Sequence, residues 1–261
     1  MKRRLRSWAS SPRGDNMMYI DAKDMHYKAL NAKIRELAAG GEAEVELKNI
    51  CGQKFIGDGL KSTIKIKIDG IPGNDLAVFM DGPEIVINGN GQDGIGNTMN
   101  SGKVIVHGNA GDVIGYAMRG GKIFIKGDVG YRVGIHMKAY QDNIPTIVIG
   151  GVASNFFGEY MAGGVMVLLG LDKKDGEPLT GDYVGAGMHG GVIYVRGDIE
   201  DHLLGREVVK SEPDFKDMSV INGLVNEYCS YFGRNLEEVM GKPFIKLTPK
   251  SHRPYGNMYT N

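Results

Sequence analysis

The residues of this 261-residue chain that could do chemistry are six histidines, two cysteines and a spaced series of aspartates. His26, His107, His136, His189, His202 and His252 are scattered, and no two have the sequence spacing of metal ligands. Cys51 and Cys229 are too few for a four-cysteine cluster or zinc site within the chain. Asp93, Asp112 and Asp182 each precede a recurring glycine by three positions. In a stacked fold such a series could be a carboxylate ladder for calcium. Tyr131 and Asn155 interrupt it, however, and turn residues that bond their own backbone account for it better. Two G-x-G-x-x-G matches occur, at Gly89–Gly94 and Gly185–Gly190, but a dinucleotide site needs a strand before the turn and a helix after it. The second match leads into Val192–Val195, a strand-like run. Gly96–Lys103 misses phosphate-loop spacing by one residue and is followed by Val104 where Ser or Thr is required. No catalytic, cofactor-binding or metal-ligating residue is therefore expected in this chain, which has neither an activated nucleophile nor an arguable carboxylate pair.

The elements that would position any site follow from a repeat. The stretch Gly94–Gly108 aligns without a gap on Val113–Gly127, offset by nineteen residues. Extended both ways, the register places an anchor at Gly57, Ala77, Gly96, Gly115, Gly134, Gly158 and Gly185. Three residues after each comes Leu60, Met80, Met99, Met118, Met137, Met161 or Met188, and then a short aliphatic run ending in glycine. A nineteen-residue unit cannot bury its apolar side alone, whereas stacked units can. In-register stacking at about 4.8 Å per turn gives a rod roughly 30 Å long, with the methionines as an adaptable interior ladder. The predicted fold is all-β, a single-stranded parallel β-helix of about seven turns, right-handed because parallel crossovers are. The high glycine content, 40 residues, serves its corners.

Stacking also groups polar side chains that the linear sequence separates. Arg119, Lys138 and His189 share one repeat position just after the methionine, and His136 and Tyr160 share another. With Glu159 beside Tyr160, these form an expected outward patch, read either as a solvated face or as a partner-docking surface. Larger loops interrupt the period between Met137 and Ile147 and between Gly170 and Gly181.

Coil ends expose strand edges and need covers. Tyr27, Leu30, Ile34 and Leu37 have helical spacing, as do Met218, Ile221, Val225, Tyr228 and Phe232, and Asn235 with Glu238 predicts a further capped helix. Residues 1–17 are read as a disordered tail or misread start, 18–48 as an N-terminal helical cap, 49–200 as the β-helix, and 201–261 as a C-terminal helical segment with a docking tail beyond Pro243. Basic and acidic residues balance at 31 each, which argues against nucleic acid as a partner. No apolar run is long enough to span a membrane, and a cytoplasmic protein is expected, with homo-oligomerisation left open.

The repeat, the leading L-N-A-K-I-R and I-C-G-Q-K-F-I-G and the closing R-P-Y-G together resemble the C-terminal β-helix domain of the glutamate synthase large subunit, often named for its G-x-G-x-G repeats. The resemblance runs from about Asp21 to Tyr255. In that family the domain holds together a glutamine amidotransferase and an FMN and iron–sulfur synthase. The chain lacks an N-terminal Cys nucleophile and the cysteines of a cluster, so the resemblance implies a scaffold subunit of a split glutamate synthase. FMN and Fe-S would sit on partner subunits. The coil is also similar to the β-helical subunit of formylmethanofuran dehydrogenase, a second scaffold reading. A third reading, an autonomous carbohydrate-active β-helix, would need a groove of acidic and basic groups that the sequence does not display.

Overall fold

The computed structural model describes residues 18–174 and 176–252, so the expectations for residues 1–17 and for the segment 253–261 lie outside the described residues. The elements run β1 (Met18–Asp21), α1 (Tyr27–Ala39), β2 (Glu44–Cys51), β3 (Lys65–Ile71), β4 (Glu84–Asn88), β5 (Lys103–Val106), β6 (Lys122–Ile125), β7 (Thr146–Ile149), β8 (Ala162–Leu168) and β9 (Gly190–Arg196). A short 3-10 turn at Asp201–Leu203 precedes β10 (Val208–Ser211), α2 (Phe215–Phe232), α3 (Leu236–Met240) and β11 (Phe244–Pro249). One eleven-stranded sheet has the order β1-β2-β3-β4-β5-β6-β7-β8-β9-β11-β10.

The strands β3 to β9 are the seven predicted aliphatic runs, paired in parallel and in register. Going from the first to the last passes round the coil six times, so the molecule is the expected parallel β-helix. Within each strand the side chains alternate. Val104 and Val106 of β5 point into the coil and join the interior core, as do Ile123 and Ile125 of β6, while Ile105 and Phe124 point away from it into a second core. Met80, Met99, Met118, Met137, Met161 and Met188 are fully buried in the interior.

The repeated Asp and Asn side chains do not bond their own backbone, as their turn positions suggest, but that of the following turn. Asp93 Oδ1 accepts from the Asp112 N–H at 2.9 Å, and Asp112 Oδ1 from Tyr131 N–H at 2.8 Å. A parallel series runs from Asn90 through Asn109 and Asp128 to Val152. The glycine just before each acceptor's partner makes room: a Cβ at Gly111 would lie 2.0 Å from Asp93 Oδ1. Each of these carboxylates commits one oxygen to a backbone donor of the next turn, and no cluster of three or more His, Cys, Asp or Glu residues suited to a metal occurs among the described residues.

The ends are closed by different devices. At the N-terminal end α1 covers the open core with Leu30 and Ile34, both buried, and stops at Gly40–Gly41. At the other end the expected helical cover is absent. Strand β11 folds back antiparallel on β9 and covers the last rung, with β10 beside it. The backbone just past Pro243 therefore docks on the protein itself. Helix α2 instead lies along the outer flank of the sheet, where Ile221, Val225, Tyr228 and Phe232 meet Ile105, Phe124, Val148, Val167 and Tyr194. It starts at a full capping box, Asp214 with Asp217, and ends at Gly233 in the left-handed conformation, φ 64°. No described helix is long and apolar enough to cross a membrane.

Candidate docking surface

The turn opposite the sheet has an unusual backbone rule. In the fifth turn Arg132, Gly134 and His136 all have positive φ, at 55°, 74° and 56°, and the sixth repeats this at Phe156, Gly158 and Tyr160, with 64°, 73° and 51°. The alternation aims successive N–H groups up and down the coil. Phe156 N–H donates to Asp182 O in the next turn, Gly158 N–H to Val133 O in the previous one, and Tyr160 N–H forward to Ala186 O, each at 2.8 Å. Left-handed residues thus let a tight corner keep ladder bonds in both directions. Past Val184 the coil continues only as a partial turn, Gly205 N–H donating to Val184 O, and the Gly187 N–H is accepted by the Glu207 carboxylate at 3.1 Å.

Only the middle residue of each triplet faces the core. A Cβ at Gly158 would lie 2.5 Å from Ile193 Cδ1, so glycine is required there by space as well as by φ. In the fifth and sixth turns the outer two positions are partly or fully exposed and carry side chains, at roughly 1–2 kcal/mol for a non-glycine residue held left-handed. In the fifth and sixth turns both outer positions are bulky, and they build two parallel ribs. His136 stacks on Tyr160 at 5.3 Å with planes 9° apart, and Tyr116 meets the His136 ring edge-on at 5.9 Å. In the second rib Arg132 lies 4.5 Å over the Phe156 ring, which stacks on Tyr183 at 5.1 Å. The ring spacing of about 5 Å follows the rise between turns.

The structure brings together some of the predicted residues and separates others. His136 and Tyr160 touch, as their shared repeat position implies. Arg119 and Lys138 occupy equivalent positions in adjacent turns, Arg119 N–H bonding Met99 O and Lys138 N–H bonding Met118 O. Both are exposed, and neither makes an ion pair among the described residues. His189 belongs to the same column but is set apart from Lys138 by Ala162 in the intervening turn, and its ring contacts Gly187 O. Glu159 is not outward, as expected, but only 9% exposed, and its carboxylate accepts from Arg132 Nε at 3.0 Å. It sits on the inner side of the ribs, beside the left-handed Tyr160, and braces Arg132 rather than presenting a charge. The second rib, Arg132, Phe156 and Tyr183, went unread in the sequence. Its signal is positional, since all three lie two residues before an anchor glycine.

On the far side of the molecule the polar groups are internally matched. Glu227 of α2 accepts from Lys122 Nζ at 2.6 Å and Tyr231 OH at 2.9 Å and pairs with Lys103 at 2.7 Å. Asp217 accepts from Tyr194 OH at 2.6 Å and Lys246 Nζ at 2.7 Å. Burial pushes both carboxyls up, but these donors more than reverse it and hold both below the usual carboxylate range. The two networks pin α2 to β5, β6, β9 and β11.

A closed parallel coil, its interior filled by methionine and isoleucine and its turns carrying strained outward residues, defines a β-helix of the GXGXG class. The chain belongs to the GXGXG motif family, whose model matches residues 26–250. It is 48% identical over 258 residues to the uncharacterized protein MJ1350 of Methanocaldococcus jannaschii, covering 95% of this chain and 98% of that protein. Among solved structures, a chain of the formyltransferase/hydrolase complex of Methylorubrum extorquens, crystallised with methylofuran, is similar at a TM-score of 0.59 and 21% identity, over 88% of this chain and 90% of that one. That likeness establishes a shared fold.

Proposed function

We propose that the chain is a non-catalytic scaffold subunit of a glutamate synthase-type assembly, holding a glutamine amidotransferase and an FMN and Fe-S synthase subunit. The observation that carries a scaffold role is the pair of ribs: left-handed aromatic and cationic residues displayed rigidly on the outside of a solidly packed coil. The glutamate synthase assignment is supported by the GXGXG match over residues 26–250, together with the flanking sequence segments. FMN and Fe-S would be carried by the partners. A second scaffold reading, in a formylmethanofuran dehydrogenase-like complex, is favoured by the fold shared with a chain of the formyltransferase/hydrolase complex.

The test is purification of the tagged chain from its native cells, followed by reconstitution. Glutamate formation from glutamine and 2-oxoglutarate should depend on adding this chain to the other two subunits. Isolation with formyl-transferring or metal-containing dehydrogenase subunits would replace the first reading by the second. Turnover by the pure chain would end both.

A further inference from the structure

The ribs leave rings and cations open at one place. His136 and Tyr160 are exposed at a left-handed corner position that Phe79, Thr98 and Ala117 also fill, so it is their side chains and not their backbone that set this patch apart. Arg119 and Lys138 stand on adjacent turns about 5 Å apart, like charges with no ion-pair partner among the described residues. The nearest carboxylate on the ribs, Glu159, is already committed to Arg132. In a chain whose formal net charge is zero, these two exposed cations make no ion pair among the described residues. Exposed tyrosine and arginine beside free cations have the composition of an interface core before its partner arrives.

We infer that this face, Arg119 and Lys138 beside the His136–Tyr160 stack, seats a carboxylate-bearing segment of a partner subunit, its Asp or Glu side chains reaching the two cations and its apolar atoms lying against the rings. The inference rests on the scaffold reading and deepens it by naming the surface and the chemistry of its occupant. Charge complementarity selects the occupant. An acidic segment supplies the counter-charge that Arg119 and Lys138 lack among the described residues, whereas a basic or purely apolar one would leave both cations unpaired on binding. The rings add contact area already ordered by stacking, so little side-chain freedom is lost.

The native complex, purified through a tag on this chain, is treated with a water-soluble carbodiimide, which joins a lysine amine to a carboxylate in direct contact. Lys138 is expected in an amide bond to an Asp or Glu of another subunit. In parallel, the R119E/K138E double variant is expected to recover about tenfold less partner, and recovery by the wild type is expected to fall as salt is raised. Both substitutions are on exposed side chains, so the melting temperature should stay at the wild-type value; Tyr160→Asn, which suits the left-handed backbone, provides a second variant that removes ring contact without reversing charge. A complex that assembles normally from R119E/K138E, or in which Lys138 couples to no other subunit, overturns this inference and leaves the scaffold reading standing. A chain that purifies alone from its native cells overturns both.

Discussion

Two outer surfaces of the coil are finished in opposite ways. Along the sheet flank from β5 to β9 the outward residues are Ile105, Phe124, Val148, Val167 and Tyr194, and α2 covers them so that their apolar area is buried within the chain. Its polar groups are matched too, with Glu227 and Asp217 each accepting from several donors. On the turn edge the rings of Tyr116, Tyr160 and Tyr183 remain 39%, 39% and 55% exposed, and Arg119 and Lys138 are unmatched among the described residues. One surface was completed by folding. The other leaves its rings and cations open to solvent. The contrast teaches that in a repeat protein the interior ladder and its covered flank hold the fold together, whereas an open corner can change its outward side chains at little cost.

Substitutions can break or sharpen this contrast. The largest effect is expected in the interior: Met118→Ala should lose about 2–5 kcal/mol in denaturant unfolding, because the ladder cannot collapse around a cavity between two rigid turns. Gly115→Ala should come close behind. Its Cβ would lie 2.4 Å from Ile147 Cδ1, at a φ of 68°, so left-handed strain of about 1–2 kcal/mol adds to overpacking of about 1–3. On the covered flank, Asp217→Asn should lose about 1.5–3 kcal/mol, measured by the same unfolding curves, as Lys246 and Tyr194 lose their charged acceptor. The smallest effect belongs to the open edge, where Tyr160→Asn should change stability by less than about 1 kcal/mol, since relief of strain offsets the lost stacking. A loss at Tyr160 as large as that at Met118 would erase the distinction between the two surfaces.

The flank also predicts a pH dependence. Folding lowers the Asp217 and Glu227 carboxyl values, so the unfolded chain binds more protons than the folded one in the acid range. Their contribution is fully present above the ordinary carboxylate pKa of about 4 and is lost as pH falls through the lower folded values. Melting temperature should therefore drop below about pH 4, and Asp217→Asn with Glu227→Gln should flatten that drop. An unchanged acid slope in the double variant would show that these two networks do not hold α2 in place.

Much of the architecture was legible in the linear sequence because it repeats. The nineteen-residue offset, the methionine column and the seven aliphatic runs are each forced by stacking, and a misfit in one turn would disturb its neighbours. Helix α2 was legible as a helix, from the spacing of Ile221, Val225, Tyr228 and Phe232, but its place was not. An amphipathic stripe reports that one face is covered and does not say by what. The end cover was misassigned for the same reason: Phe244–Pro249 is short and mixed in character, and only its partner β9 makes it a strand. The role of Asp93 and Asp112 was half legible. Their recurrence was visible, but the acceptor geometry that bonds them across turns is not encoded in spacing.

The candidate site divides along the same line. The amino-acid sequence by itself determined that His136 would lie over Tyr160 and Lys138 beside Arg119, because equal repeat positions must stack. The same rule stacks Arg132, Phe156 and Tyr183, whereas only the tertiary structure decided that Glu159 turns inward to Arg132 and that each of these corners is left-handed. Those outcomes depend on which residues adopt the left-handed conformation at each corner. That choice is made by hydrogen bonds reaching from one turn to the next, between residues far apart in the chain.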